Sequence, residues 1–429
     1  MSPGRTKRFL GPKSLFGPYK YCVRRSLLNS IFMAIQPVIS TQIMTSPTHL
    51  ARRRSLLLST GVLTASSWLG CGASAWAQGR KGASGGKTLV VAQVVDTSAA
   101  QQDVSKDFLI GSRAAWQDIN LRGGINGRRV SHQTLETDGS PASVKQALAT
   151  ALDNPECVVL SGSVGDGVAQ QLLDLSRSGA SPMAHAAPWL QNSNANLDDH
   201  TFPVFAARQA QITHALESLS GMGLKELGAV YSSPQNFKAD HLEVERTASA
   251  LKLKLQTFQG GTDPRALGRK LGAATPGVLL FLGGTPELAD FTQGLEQQAR
   301  QRYIVALADV NLQVLAEMGA ARGTPIIATQ PVPLATNAIP LVRSYRETMA
   351  RLFDEPPTAL SLAGFIAARY THEVLSRVEA PLTRQSVLSA FQKRSDMDLG
   401  GFRISFDSQR RSGRFVTQSM LARDGRLVG

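Results

Sequence analysis

The chain has 429 residues, 42% of them hydrophobic, enough for two domains with full cores. Its formal charge of +14 suggests a nucleic-acid surface, yet ten of the 46 basic residues fall within residues 1–77, which hold no acid at all. Downstream, 36 basic side chains face 32 acidic ones, a balance that argues against a nucleic-acid partner. The remaining basic cluster, Arg410, Arg411 and Arg414, reads as a solvated charged face.

The N-terminal region has the grammar of an export leader. Residues 1–43 are basic and precede a second methionine, Met44; they read as an extension without function, with translation starting at Met44. Within 44–77, Arg52-Arg53-Arg54 precede the apolar run 56-LLLSTGVLTASSWLG-70 and the small-residue site 75-AWAQ-78. That order predicts a cleavable signal of twin-arginine type, with Ala77 the last residue removed and the periplasm as destination. Cys71 in 68-WLGC-71 offers a second fate, a lipid anchor, although Trp68 stands where a lipoprotein box places leucine. Beyond Ala77 the only cysteine is Cys157, so no internal disulfide forms. Residues 78–87 are glycine-rich and read as a flexible linker.

From there, strands and helices alternate. The unbroken apolar run 88-TLVVAQVV-95 predicts a strand buried on both faces. Residues 104–120 place Phe108, Ala115, Trp116 and Ile119 near one helical face. In 118-DINLRGGINGRRV-130, Gly123 and Gly124 end that helix and Asn126-Gly127 turns the chain into a strand over 128–137. Ser140-Pro141 starts the next helix, through Leu152. Further strands are expected at 157–162, 181–186, 226–232, 252–259, 277–284, 303–309 and 324–330, and helices at 166–179, 237–251 and 286–300. The pattern predicts an α/β fold with two doubly wound parallel-sheet lobes. Ligands of such sheets sit at the carboxyl ends of the strands, after Val95, Leu160, Ala184, Val230, Leu282 and Leu307.

Catalytic signatures fail one by one. The segment 81-KGASGGKT-88 lacks the first glycine of a phosphate loop and precedes its strand instead of following it. The 162-GSVGDG-167 loop follows a strand but lacks dinucleotide spacing, and a nucleophile elbow would need glycine at Ser161. His372-Glu373 begins a zinc motif that Ser376 breaks. His185, near the end of a strand, favours a structural role. No catalytic residue, metal or cofactor is expected.

An exported two-lobed α/β chain without catalytic machinery suits a solute receptor. The run 111-GSRAAWQDINLRGGINGRRV-130, then 137-TDGSPASVKQALATAL-152 with Asp138 at the acidic position, resembles the leucine/isoleucine/valine-type periplasmic solute-binding proteins of ABC transporters. Further likenesses follow in order: 283-GGTPELADF-291, 328-ATQPVP-333 and 361-SLAGFIAARY-370. The resemblance implies a three-crossover hinge near 203–208, 330–333 and 395–401. Lobe 1 would be 88–205 with 333–395, and lobe 2 would be 206–332 with 396–429. It also implies a small polar ligand (an amino acid, amide or aromatic acid), an inner-membrane ABC permease as partner, and a monomer. Two other roles fit the same fold: a sensor subunit signalling to a membrane receptor, and an exported enzyme.

The resemblance places the ligand site at Gln102, Gly165, Asp166, Ala187, Trp189, Phe237, Thr285 and Asp309. Gly165 stands at or beside the family's carboxylate-binding serine. Asp166 would repel a bound carboxylate, so it either points away or meets a cation or hydroxyl. Ala187 and Trp189 lie in 185-HAAPWLQN-192; Trp189 either stacks on a ligand or covers the lobe. Phe237 and Thr285 replace family aromatics. Asp309, at the family's acidic position, either anchors a ligand cation or caps a helix. These departures leave the fold intact and argue against a branched-chain amino acid as ligand.

Overall fold

The computed structural model describes residues 88–429 apart from 180, 297, 299, 321, 322 and 380. The readings for 1–87 (extension, export signal, Cys71 and linker) lie outside the described residues.

Strand β1 (Leu89–Asp96) explains its own composition. Leu89, Val91 and Val95 enter one core, while Val90, Ala92 and Val94 enter a second core on the opposite face. With no face left to water, polar alternation disappears. Gln93 at its centre donates to the Gly162 carbonyl (2.7 Å) and Ser112 Oγ (3.1 Å). Helix α1 (Gln102–Leu121) follows and ends as expected, with Gly123 and Gly124 at φ +107° and +73°. Asn120 then clamps the coming strand: its Oδ1 accepts from Val130 N and its Nδ2 donates to Val130 O, both at 2.8 Å.

The first sheet continues with β2 (Val130–Thr137), β3 (Cys157–Ser161), β4 (Ala184–Ala186) and β5 (Thr201–Phe202). All are parallel, in the order β2-β1-β3-β4-β5. Helices α2 (Pro141–Asp153) and α3 (Asp166–Arg177) link its strands. Ser140 caps α2 by accepting from Ser143 N.

After β5 the chain passes through 203–207 into α4 (Arg208–Gly221) and the second sheet. There β6 (Glu226–Tyr231), β7 (Lys254–Gln259), β8 (Val278–Leu282), β9 (Tyr303–Ala306) and β10 (Ile326–Gln330) run parallel. They alternate with α5 (Pro234–Ala250), α6 (Pro264–Lys270), α7 (Thr285–Leu295) and α8 (Leu312–Glu317). The helix expected from Phe237 starts a turn earlier because Ser233 accepts from Asn236 N and Pro234 occupies the first helical position.

The chain returns through 331–339 to α9 (Pro340–Leu352), α10 (Ala359–Ser376) and α11 (Arg384–Gln392), all packed in the first lobe's core with Tyr345, Phe365 and Phe391. A hairpin of β11 (Met397–Asp398) and β12 (Arg403–Ile404) adds Met397, Leu399, Phe402 and Ile404 to that same core. The third passage, 405–416, leads to β13 (Thr417–Leu421), which pairs antiparallel with β10, and β14 (Leu427–Val428), which pairs antiparallel with β13. The second sheet is thus β14-β13-β10-β9-β8-β6-β7. The first and third passages touch, with Ser412 N donating to Pro203 O (3.2 Å), and Thr417 Oγ1 at the start of β13 donates to Val332 O of the second (2.7 Å).

Packing of α1 on α10 is set by two glycines. A Cβ at Gly111 would lie 1.7 Å from Ser361 O, and one at Gly364 would lie 1.8 Å from Phe108 O. The helices therefore meet backbone to backbone. Gly364→Ala should destabilise the protein by about 3 kcal/mol, because two helices must separate to admit one methyl. Urea unfolding measures it, and an unchanged midpoint would contradict this packing.

Candidate ligand-binding cleft

The strand ends of the two sheets are joined by charge. Asp166 is the first residue of α3 in the first lobe; Gly165 precedes it at φ +100°, and a Cβ there would fall 2.6 Å from Asp96 Cβ. Only glycine fits that turn, and the turn aims Asp166 at the opposite lobe. Arg208, the first residue of α4, donates through Nη2 to Asp309 Oδ2 (2.7 Å) and to Asp166 Oδ2 (3.4 Å). Its Nη1 lies 3.7 Å from Asp240 Oδ1 on α5. All four side chains are at least three-quarters buried. The second Asp166 oxygen accepts from Gln191 N (2.7 Å) and Asn192 N (3.0 Å).

One guanidinium thus serves three carboxylates. Burial opposes the charge on Arg208, but Asp309, Asp166 and Asp240 outweigh it and raise its pKa. Burial raises the Asp166 pKa against the lowering effect of Arg208. Asp240 is pushed up to about 6, chiefly by burial; Arg208 lowers it, while Asp309 and Asp166 push it further up.

Neutral contacts extend the bridge. Gln211 on α4 donates to Gln191 Oε1, and its own oxygen accepts from Ala308 N (2.9 Å) and Thr329 Oγ1 (3.1 Å). Asp107 on α1 accepts from Asn311 Nδ2 (3.0 Å) across the gap and from Thr358 Oγ1 (2.8 Å).

Of the eight residues singled out from the sequence, the structure brings Asp166 and Asp309 together, with Arg208 between them. Asp309 is not a helix cap; Asn311 caps α8. Gly165 shapes the turn before Asp166. Trp189 is buried in the first core, 5.7 Å from Phe108 and 5.4 Å from Phe205 between ring centres. It also lines a cavity of about 130 Å³ with Asn311, Gln330 and Thr358. Ala187 is buried at φ +46°, its N–H bonded to Phe202 O. Thr285 is buried, its Oγ1 accepting from Asn311 N (2.9 Å). Phe237 is half-buried, stacked 4.3 Å over His241 and edge-on to Tyr231. Gln102 is exposed at the start of α1. His185 sits inside β4, where burial lowers its pKa to about 4.

Sequence reasoning passed over Arg208 and Asp240. A signal existed for Arg208: a cation in the first turn of a helix opposes the helix dipole and needs anionic partners. Asp240 carried none, since one acid in a helix is ordinary. Among the described residues no group of three His, Cys, Asp or Glu is placed to hold a metal, and no helix is long and apolar enough to cross a membrane.

Two lobes built on parallel strands, three passages between them and a polar seam at the strand ends define a two-lobed ligand-binding protein. The chain belongs to the periplasmic binding protein family, whose model matches residues 88–423. That family, with its structural neighbours, consists of ligand-binding transport proteins, not enzymes. The fold is similar to an extracellular ligand-binding receptor from Verminephrobacter eiseniae, with 19% identity over 80% of this chain and 100% of that one, TM-score 0.72. A substrate-binding periplasmic protein from Ralstonia solanacearum is 22% identical over 79% and 99%, TM-score 0.70. A branched chain amino acid ABC transporter structure from Thermus thermophilus with bound valine is 15% identical over 80% and 95%, TM-score 0.68. Among curated proteins none matches the chain.

The raised Asp240 pKa has a measurable sign. Its folded value of about 6 exceeds the ordinary 3.8, so its contribution to stability is full below pH 3.8 and is lost as pH rises through about 6. Asp240→Asn removes that dependence. The melting temperature of the variant minus that of the wild type should therefore increase from pH 5 to pH 7.5; a flat difference would place Asp240 outside the buried cluster.

Proposed function

We propose that the chain is an exported solute receptor that closes its lobes on a small polar metabolite and delivers it to an inner-membrane ABC permease. The observation that carries the reading is the ionic seam of Asp166, Arg208, Asp240 and Asp309, which spans the gap between the strand ends of both sheets. Only a ligand touching both lobes favours the closed arrangement, and this seam lies where such a ligand touches both. The first lobe is 88–205 with 333–395, extended by the hairpin at 397–404, and the second is 206–332 with the C-terminal strands.

Export follows from the leader: a twin-arginine signal within 44–77 sends the chain to the periplasm, with Cys71 as an alternative lipid anchor. The site centres on Asp166 and Asp309, with Gly165 shaping the approach. Gln102, Phe237 and Thr285 border the same strand ends, and Ala187 and Trp189 support them from the first core. The protein works as a monomer that meets its permease through the rims of both lobes.

A thermal-shift screen of the purified protein against amino acids, amides, aromatic acids and amines tests the reading. A ligand at about 100 times its Kd adds about 2.7 kcal/mol of stability, and small-angle scattering should show the radius of gyration shrinking with it. Failure of every metabolite to stabilise the protein would overturn solute capture.

A further inference from the structure

We propose that the end of the first lobe furthest from the cleft is a membrane-facing surface that docks on anionic phospholipid headgroups. There α1 and the edge strand β2 leave between them a groove of about 710 Å³, whose lining includes Arg113, Trp116, Leu121, Arg129, His132 and Thr134. Arg113 reaches across it from the helix, and its Nη2 donates to Thr134 Oγ1 (3.5 Å). Trp116 and His132 form the floor, their ring centres 6.3 Å apart.

The groove is cationic, and no carboxylate lines it. Residues 111–135 hold four arginines and one acid, Asp118. That acid is buried and already paired with Arg122 (2.8 Å) and Arg351 (2.6 Å). Among the described residues no carboxylate pairs with Arg113 or Arg129. Exposed guanidinium groups without an acid suit phosphate oxygens, which each can hold through two N–H groups. Leu121 stands on the rim, 65% exposed. A large apolar side chain among arginines fits the boundary between headgroups and acyl chains. A small soluble anion would leave that leucine in water.

Position supplies an independent argument. Strand β1 begins beside the groove: Leu89 pairs with Val130, and its N–H donates to Arg129 O (3.2 Å). The leader therefore joins the fold at this end, through 78–87, which adds Arg80, Lys81 and Lys87 and no acid. Basic residues beside a membrane attachment are drawn to anionic lipid. Where Cys71 carries a lipid, the bilayer holds the fold from this end; the charge and Leu121 act with or without it. Strands β1 and β2 run in parallel away from the groove. A lobe docked here turns its strand ends, with Asp166, away from the bilayer, the orientation for capturing a solute.

Cosedimentation of the purified protein with vesicles tests the assignment, one set mixing phosphatidylglycerol with phosphatidylcholine and the other phosphatidylcholine alone. Binding should appear on the anionic set only and weaken as salt rises. Arg113→Gln combined with Arg129→Gln should weaken it about 25-fold, about five-fold for each arginine. Lys225→Gln combined with Lys252→Gln removes the same charge from exposed positions beside the strand starts of the second lobe, and should leave binding unchanged. Equal affinity for both vesicle sets, or equal losses in the two double variants, would overturn the proposal. Glycerol 3-phosphate that stabilised the protein while neither vesicle set bound would also overturn it, leaving a soluble phosphate ligand in its place. None of these outcomes touches solute capture, which the metabolite screen tests separately.

Discussion

A guanidinium taken out of water must recover its lost hydration from its neighbours, and Arg208 does so by drawing on both halves of the molecule. Asp309 and Asp240 reach it from the second lobe and Asp166 from the first. The partners are unequal. Asp309 makes the short bond, Asp166 divides its oxygens between Arg208 and two backbone amides, and Asp240 stands furthest off. Relative placement of the lobes is thus tied to a set of charges that is not internally balanced. Any change in charge at the seam acts on the geometry between the sheets.

The strand ends are polar, whereas the first two passages beside them are not. Val204, Phe205, Ala206 and Val332 are buried and apolar, and the passages are held to one another by backbone acceptors. The third passage differs, for Arg410 and Arg411 tie it to Asp199 and Asn192, and Arg414 pairs with Asp407 within it.

The sequence carried most of this architecture because the signals were local. The runs at 88–95 and 157–162 read as buried strands, and Ser140-Pro141 and the paired glycines at 123–124 marked helix ends by the chemistry of caps. Elements without such signals were missed. Strands β13 and β14 pair antiparallel at the sheet edge, half exposed, and their composition is that of an ordinary loop. The cleft was legible by halves. Asp166 and Asp309 stood out through the family resemblance, whereas Asp240 lies inside a helix and belongs to the cluster only through its distance to Arg208. Trp189 was open between stacking on a ligand and covering the lobe, and its ring packs on Phe108 and Phe205 while lining a cavity.

The contacts of Gly111 with Ser361 and of Gly364 with Phe108 have a consequence for the order in which the molecule forms. They bring two helices backbone to backbone, yet some 250 positions of chain separate the partners. The sheet of the first lobe is written by residue 202, but α9, α10 and α11, which pack with α1 in one of its cores, are not complete until the ribosome has passed residue 392. The second lobe, written almost continuously from 208 to 330, waits only for two edge strands. During synthesis its chain is nearly complete while the first lobe's core still has α1 alone of its four helices. The core of the half that begins first is thus completed only after nearly all of the second lobe has been written.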